Sequence, residues 1–148
     1  MKLKHHFTWS ILILLLALTG CAHHRTSDEH AKAFFEDGRS QILKSLRKHD
    51  ANPEQLDRAK AVLDRDEAVI TRDIAALFRT QQDVLFAVTT GKDTAALTPL
   101  ENSAHQAQAE AVRSIGKMHE ALQVAVGPEL WKAATLSMEK KMARYIKK

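Results

Sequence analysis

Residues 52–89 read NPEQLDRAKAVLDRDEAVITRDIAALFRTQQDVLFAVT, with no Gly and no Pro beyond Pro53. Leu56, Ala59, Leu63, Ile70, Ile74, Leu77, Val84 and Val88 recur in steps of three, four or their sum. That spacing predicts one apolar face of a helix with a period of about 3.6 residues. Val62, Val69 and Phe78 widen the stripe beyond a narrow seam. Asn52 is an N-cap residue, Pro53 suits the first helical position, and Glu54 is an acid in the first turn. At 1.5 Å per residue, a helix of roughly 36 residues is about 54 Å long. It cannot bury its stripe on itself. It needs an antiparallel partner, another chain, or both.

The partner follows in sequence. Thr89-Thr90-Gly91-Lys92-Asp93 carries a Gly suited to a helix C-terminus, and Thr98-Pro99 offers a new N-cap and first-position Pro. From there Leu100, Ala104, Ala107, Ala111, Ile115, Met118, Leu122 and Ala125 repeat at helical spacing. Four of these are Ala, so two antiparallel backbones can approach closely, and about nine residues would link the pair into a hairpin. Gly127-Pro128 then breaks the chain. Glu129 to Ile146 is a final helix with Leu130, Trp131, Ala134, Met138, Met142, Tyr145 and Ile146 apolar.

Upstream, Asp28 to Asp50 is helical in pattern, with Ala31, Phe34, Phe35, Ile42, Leu43 and Leu46 as its apolar positions. Gly38 interrupts it at a cost of about 1 kcal/mol against Ala, which predicts a break or bend near residues 37–39. Asn52-Pro53 ends this helix, because the residue before Pro avoids the helical region. No strand pattern occurs. The fold class expected is all-α: a long antiparallel hairpin with a shorter helix at each end.

The N-terminus carries Lys2 and Lys4, an apolar run from Trp9 to Leu18, and then Leu18-Thr19-Gly20-Cys21. These are the parts of a secretory signal, and the run is too short for a permanent span. The ending resembles a bacterial lipobox, in which the Cys becomes the lipidated first residue; the alternative is an ordinary signal that happens to contain a Cys. Ala22 follows it, without the Asp that retains many enteric lipoproteins in the inner membrane. The expectation is a signal peptide at 1–20, a palmitate-type lipidated tether at 21–27, and one helical domain at 28–148. The anchor would lie in the outer membrane, facing the periplasm.

If Cys21, the single Cys, is acylated, none remains for a disulfide or thiolate metal site. Removing Lys2 and Lys4 takes the formal net charge from +4 to +2. An exported chain of that charge does not point to nucleic acid. No Ser-His-Asp arrangement, nucleophile elbow, Gly-rich phosphate loop or H-E-x-x-H appears, so the sequence reads as a binding protein rather than an enzyme.

Two helix starts read alike: Asn52-Pro53-Glu54-Gln55-Leu56 and Gly127-Pro128-Glu129-Leu130-Trp131, with Leu97-Thr98-Pro99-Leu100-Glu101 a looser third. They resemble the L-T-x-x-Q-type starts of the Spy/CpxP superfamily of periplasmic chaperones and heavy-metal sensor or resistance proteins. The Leu-Thr pair is absent from the first two. The helix order over residues 37–148 is also similar to that superfamily's. The resemblance implies a hooked-hairpin homodimer. Some relatives cradle unfolded chains on amphipathic surfaces, and others bind a transition metal and report to a membrane partner.

Set against these implied roles, His49, Glu67 (or Asp66), Met118 and His119 are candidate ligands for Zn, Ni, Co or Cu, from regions that a hairpin would bring together. Asp64-Arg65-Asp66-Glu67 reads equally as a solvated face with local ion pairs. No other cofactor is called for. Arg47, Lys48, Arg58, Arg65 and Arg72, with Lys44, Lys60 and Arg79 nearby, are candidates for a basic rim that holds a client or partner. The tail from Lys140 to Lys148 holds five cations and no acid, favourable against a helix C-terminus and able to meet anionic lipid. The functional expectation is an envelope stress or metal-response lipoprotein with chaperone-like or sensor activity. The alternative is an accessory lipoprotein docking onto an envelope assembly.

Overall fold

The computed structural model describes residues 26–136. The signal segment, Cys21 with residues 22–25, and the basic tail lie outside the described residues. Four helices and no strand make up the described chain: α1 Ser27–Lys48, α2 Pro53–Thr89, α3 Thr94–Val126, and α4 from 128 to the last described residue, 136.

Local chemistry sets each boundary. α2 begins as its sequence predicts, on an Asn52 cap whose side chain accepts from Gln55 N–H, with Pro53 in the first turn. Gln55 returns the bond from Asn52 N–H to its Oε1, completing a capping box. A second box, Thr26 with Glu29, caps α1, which starts at Ser27, one residue before the Asp28 the pattern suggests. α2 ends in a Schellman arrangement. Gly91 takes φ 70°, its N–H meets Val88 O, and Lys92 N–H meets Ala87 O. α1 ends the same way around Asp50, a non-Gly residue at φ 62°.

Two expectations need correcting. α1 runs unbroken through Gly38. An added Cβ there would meet nothing within 4 Å, so the Gly serves no close approach. Its intrinsic penalty is outweighed by the burial of Ala31 and Phe35 before it and Ile42 and Leu46 after it. α3 starts at Thr94 on an Asp93 cap accepting from Ala96 N–H, four residues before Thr98, and Pro99 sits inside the helix. The missing N–H of Pro99 would have faced Ala95 O, near a helix start where Ala95 is exposed. The hairpin loop is correspondingly shorter than the spacing suggested.

α2 is the central element, packing against α3 on one side and α1 on the other. The main core joins Phe35, Ile42 and Leu46 of α1 to Leu63, Ile70 and Ile74 of α2, to Met118, Leu122 and Val126 of α3, and to Trp131 and Ala134 of α4. A smaller cluster, Leu77 with Ala107 and Ala111, closes the hairpin farther along. Part of the breadth of the α2 stripe is met within the chain. Val62 and Phe78 pack on the main core, Phe78 edge-on to His30 of α1, and Val69 stays exposed. Val88, farther along the same stripe, also stays exposed. Ser45 Oγ donates to Ala134 O at 2.9 Å and ties α1 to α4.

Candidate functional site

One groove on the hairpin combines charge, apolar surface and room. It lies between α2 and α3, holds about 520 Å³, and is lined by Arg65, Asp66, Val69, Ile70, Arg72, Asp73, Glu110, Arg113, Ser114 and Lys117. Two spacings build it. On α2, Arg65-Asp66 and Arg72-Asp73 recur after seven residues, which returns them to nearly the same side of the helix, with Val69 and Ile70 between. On α3, Glu110, Arg113, Ser114 and Lys117 stand three and four apart, on the edge beside the Ala line.

On α2 the acids face inward and the cations outward. The Asp73 side chain is 8% exposed and the Arg72 side chain 69%, with Arg72 Nε and Nη2 both donating to Asp73 Oδ1. Arg65 grips both oxygens of Asp66 in the same way, at 2.7 and 2.8 Å. The hydrogen bond to Asp66, then its charge, raises the already high pKa of the Arg65 guanidinium. Facing these residues, Arg113 and Lys117 are exposed and make no ion pair among the described residues. A ligand entering from solvent meets four cations and three acids, Asp66, Asp73 and Glu110, with Val69, 46% exposed, as the exposed apolar side chain of the lining. That arrangement suits a chain carrying both apolar and acidic groups.

The sequence candidates distribute unevenly. Arg65 and Arg72 line the groove. Arg58 does not: its Nε donates to Ala125 O at 2.7 Å, and Gln55 Nε2 donates to Val126 O. Together they satisfy terminal carbonyls of α3, whose last turn has no basic residue of its own. Arg47 and Lys48 lie in the last turn of α1, where cations complement the helix dipole, and are not in the groove. Arg79 reaches Asp28 of α1, and Lys60 pairs with Asp57. Sequence reasoning missed Arg113 and Lys117, although their four-residue spacing beside the Ala line was visible.

The metal candidates are not gathered. Glu67 stands beside Arg39 of α1, which also pairs with Asp64. Arg39 lies ten residues before His49, or about 15 Å along the helix at 1.5 Å per residue. Met118 is in the main core, and His119 packs edge-on to Trp131 at 5.4 Å between ring centroids. Burial pushes the His119 imidazole below its ordinary pKa. His49 Nε2 is buried without a hydrogen-bond partner. Among the described residues, no three His, Cys, Asp or Glu side chains come together as a metal site. Nor, among them, is any helix long and apolar enough to cross a membrane.

No protein-family model matches the chain, and no curated protein or solved structure does so either. The functional reading therefore rests on the residues themselves.

Proposed function

We propose that this chain is a bacterial envelope lipoprotein that acts by binding, with the α2–α3 groove holding exposed segments of unfolded envelope proteins in a chaperone-like manner. The observation that carries the reading is the groove's lining: exposed Arg113 and Lys117, in no ion pair among the described residues, beside exposed Val69 and the Arg65–Asp66 and Arg72–Asp73 pairs. Unfolded segments expose apolar and acidic side chains together; Arg113 and Lys117 attract the acidic ones, and Val69 offers contact to the apolar ones. The Leu18-Thr19-Gly20-Cys21 sequence supports the lipid anchor. The helix starts that resemble the Spy/CpxP superfamily supply a precedent for hairpins used in this way. The metal-response form of the reading has less support, because Glu67 is engaged by Arg39 and stands far from His49.

The test is the aggregation of reduced α-lactalbumin, an acidic protein that exposes apolar surface, followed by light scattering with the purified chain present. Dose-dependent suppression that weakens with added salt is expected, since exposed charges are screened within a Debye length of about 8–10 Å. No suppression at any ratio would remove the chaperone-like reading and leave accessory docking onto an envelope assembly in its place.

A further inference from the structure

The largest uncovered apolar group of the hairpin is at its turn. Leu85, Phe86 and Val88 are 59%, 67% and 55% exposed in the last turns of α2. They are uncovered because α1 stops short of them. α1 runs antiparallel to α2 and starts where Ser27 Oγ donates to Gln82 Oε1, with Arg79 reaching Asp28. Leu85 lies three residues past Gln82, about 4.5 Å farther along the axis, and Val88 about 9 Å. The chain before Thr26 therefore departs from the same end of the molecule as this apolar turn. Five residue steps separate Thr26 from Cys21, a reach of at most about 18 Å.

The geometry points to the bilayer as the occupant: we infer that the hairpin turn rests on the membrane that holds the lipid on Cys21, with Leu85, Phe86 and Val88 in its interfacial region. This rests on the lipoprotein reading of the proposed function and adds an orientation to it. The turn is membrane-proximal, while α4 and the far end of α3, with Val124 86% exposed, point away.

The experiment uses the full lipidated chain in phosphatidylethanolamine–phosphatidylglycerol vesicles. A fluorophore sensitive to polarity is attached through Thr89→Cys in one preparation and Val124→Cys in another. The mass of the N-terminal peptide reports acylation of Cys21 in each sample. The expected result is a blue-shifted emission from position 89 that nitroxide lipids quench, neither effect at position 124, and loss of both at 89 when Leu85, Phe86 and Val88 are changed to Ser. An acylated chain in which lipid quenching is equal at the two positions would overturn the orientation and leave the anchor intact. A blue shift at 89 without lipid quenching would assign the turn to a protein contact and overturn it as well. A chain without acylation would remove the anchor, and the orientation with it.

Discussion

Leu77 of α2 packs with Ala111 of α3 in the smaller apolar cluster, the two residues being 4% and 2% exposed. A large side chain on one helix meets a small one on the other, so the pair sets how closely the hairpin closes. Leu77→Ala should lower stability by about 2–5 kcal/mol, through lost burial and a residual cavity. Ala111→Leu should also destabilise, by about 1–3 kcal/mol, because it drives two close backbones apart. Urea denaturation measures both. Neutral outcomes would mean that the two helices are not clamped at this point.

The helix ends give a second prediction. Gly91 holds φ 70°, and a Cβ added there would meet nothing within 4 Å. Gly91→Ala should therefore cost only the left-handed backbone penalty of about 1–2 kcal/mol. Asp50 occupies the equivalent place after α1 at φ 62°. Asp50→Gly should leave stability equal or higher, and Asp50→Ala should lower it. Thermal melts that rank Ala above Gly at position 50 would contradict the cap assignment.

How much of this fold was legible depended on how local its causes are. The Asn52 cap, the Pro53 start and the Ala line of α3 are written in neighbouring residues, and the hairpin follows from their spacing. The unbroken α1 is not local: its Gly38 penalty is overcome by the burial of Phe35 and Ile42 against residues far along the chain. The start of α3 was misplaced because Thr98-Pro99 is a strong local signal, while Asp93 four residues earlier already satisfies Ala96 N–H. For the groove, Arg65 and Arg72 could be listed as cations. Which cations share a wall depended on partners such as Ala125 O, which claims Arg58. No sequence pattern foretold that contact.

His119 predicts a pH dependence. Burial lowers its folded pKa, while the unfolded chain keeps an ordinary value of about 6.5. The neutral form is favoured in the fold, so the unfolded state binds the extra proton more readily. The His119 contribution is thus level above about pH 6.5 and is lost as pH falls from there toward the lowered folded value. Denaturation midpoints of the chain and of His119→Asn, compared at about pH 8 and about pH 5.5, isolate the effect. The drop should be smaller in the variant. An equal drop would place the proton elsewhere.

Cys21→Ser should abolish lipid attachment, because that thiol is the only acceptor in the Leu18-Thr19-Gly20-Cys21 motif. Labelling with radioactive palmitate in an expressing bacterium reads it directly. A labelled, membrane-bound serine variant would disprove the lipobox reading.

The central claim, that the α2–α3 groove is the binding surface, is tested most directly by its effect on client protection. Val69→Asp replaces the groove's exposed apolar side chain with an acid, and Arg113→Glu with Lys117→Glu reverses the cations of the α3 wall; these sites are exposed, so stability should change by no more than about 0.5 kcal/mol. Val124→Asp, at the far end of α3, is the control. The account predicts that both groove variants bind reduced α-lactalbumin at least about tenfold more weakly, a loss of about 1.4 kcal/mol, while the control protects like the unaltered chain. Full protection by the groove variants, or an equal loss in Val124→Asp, would contradict it.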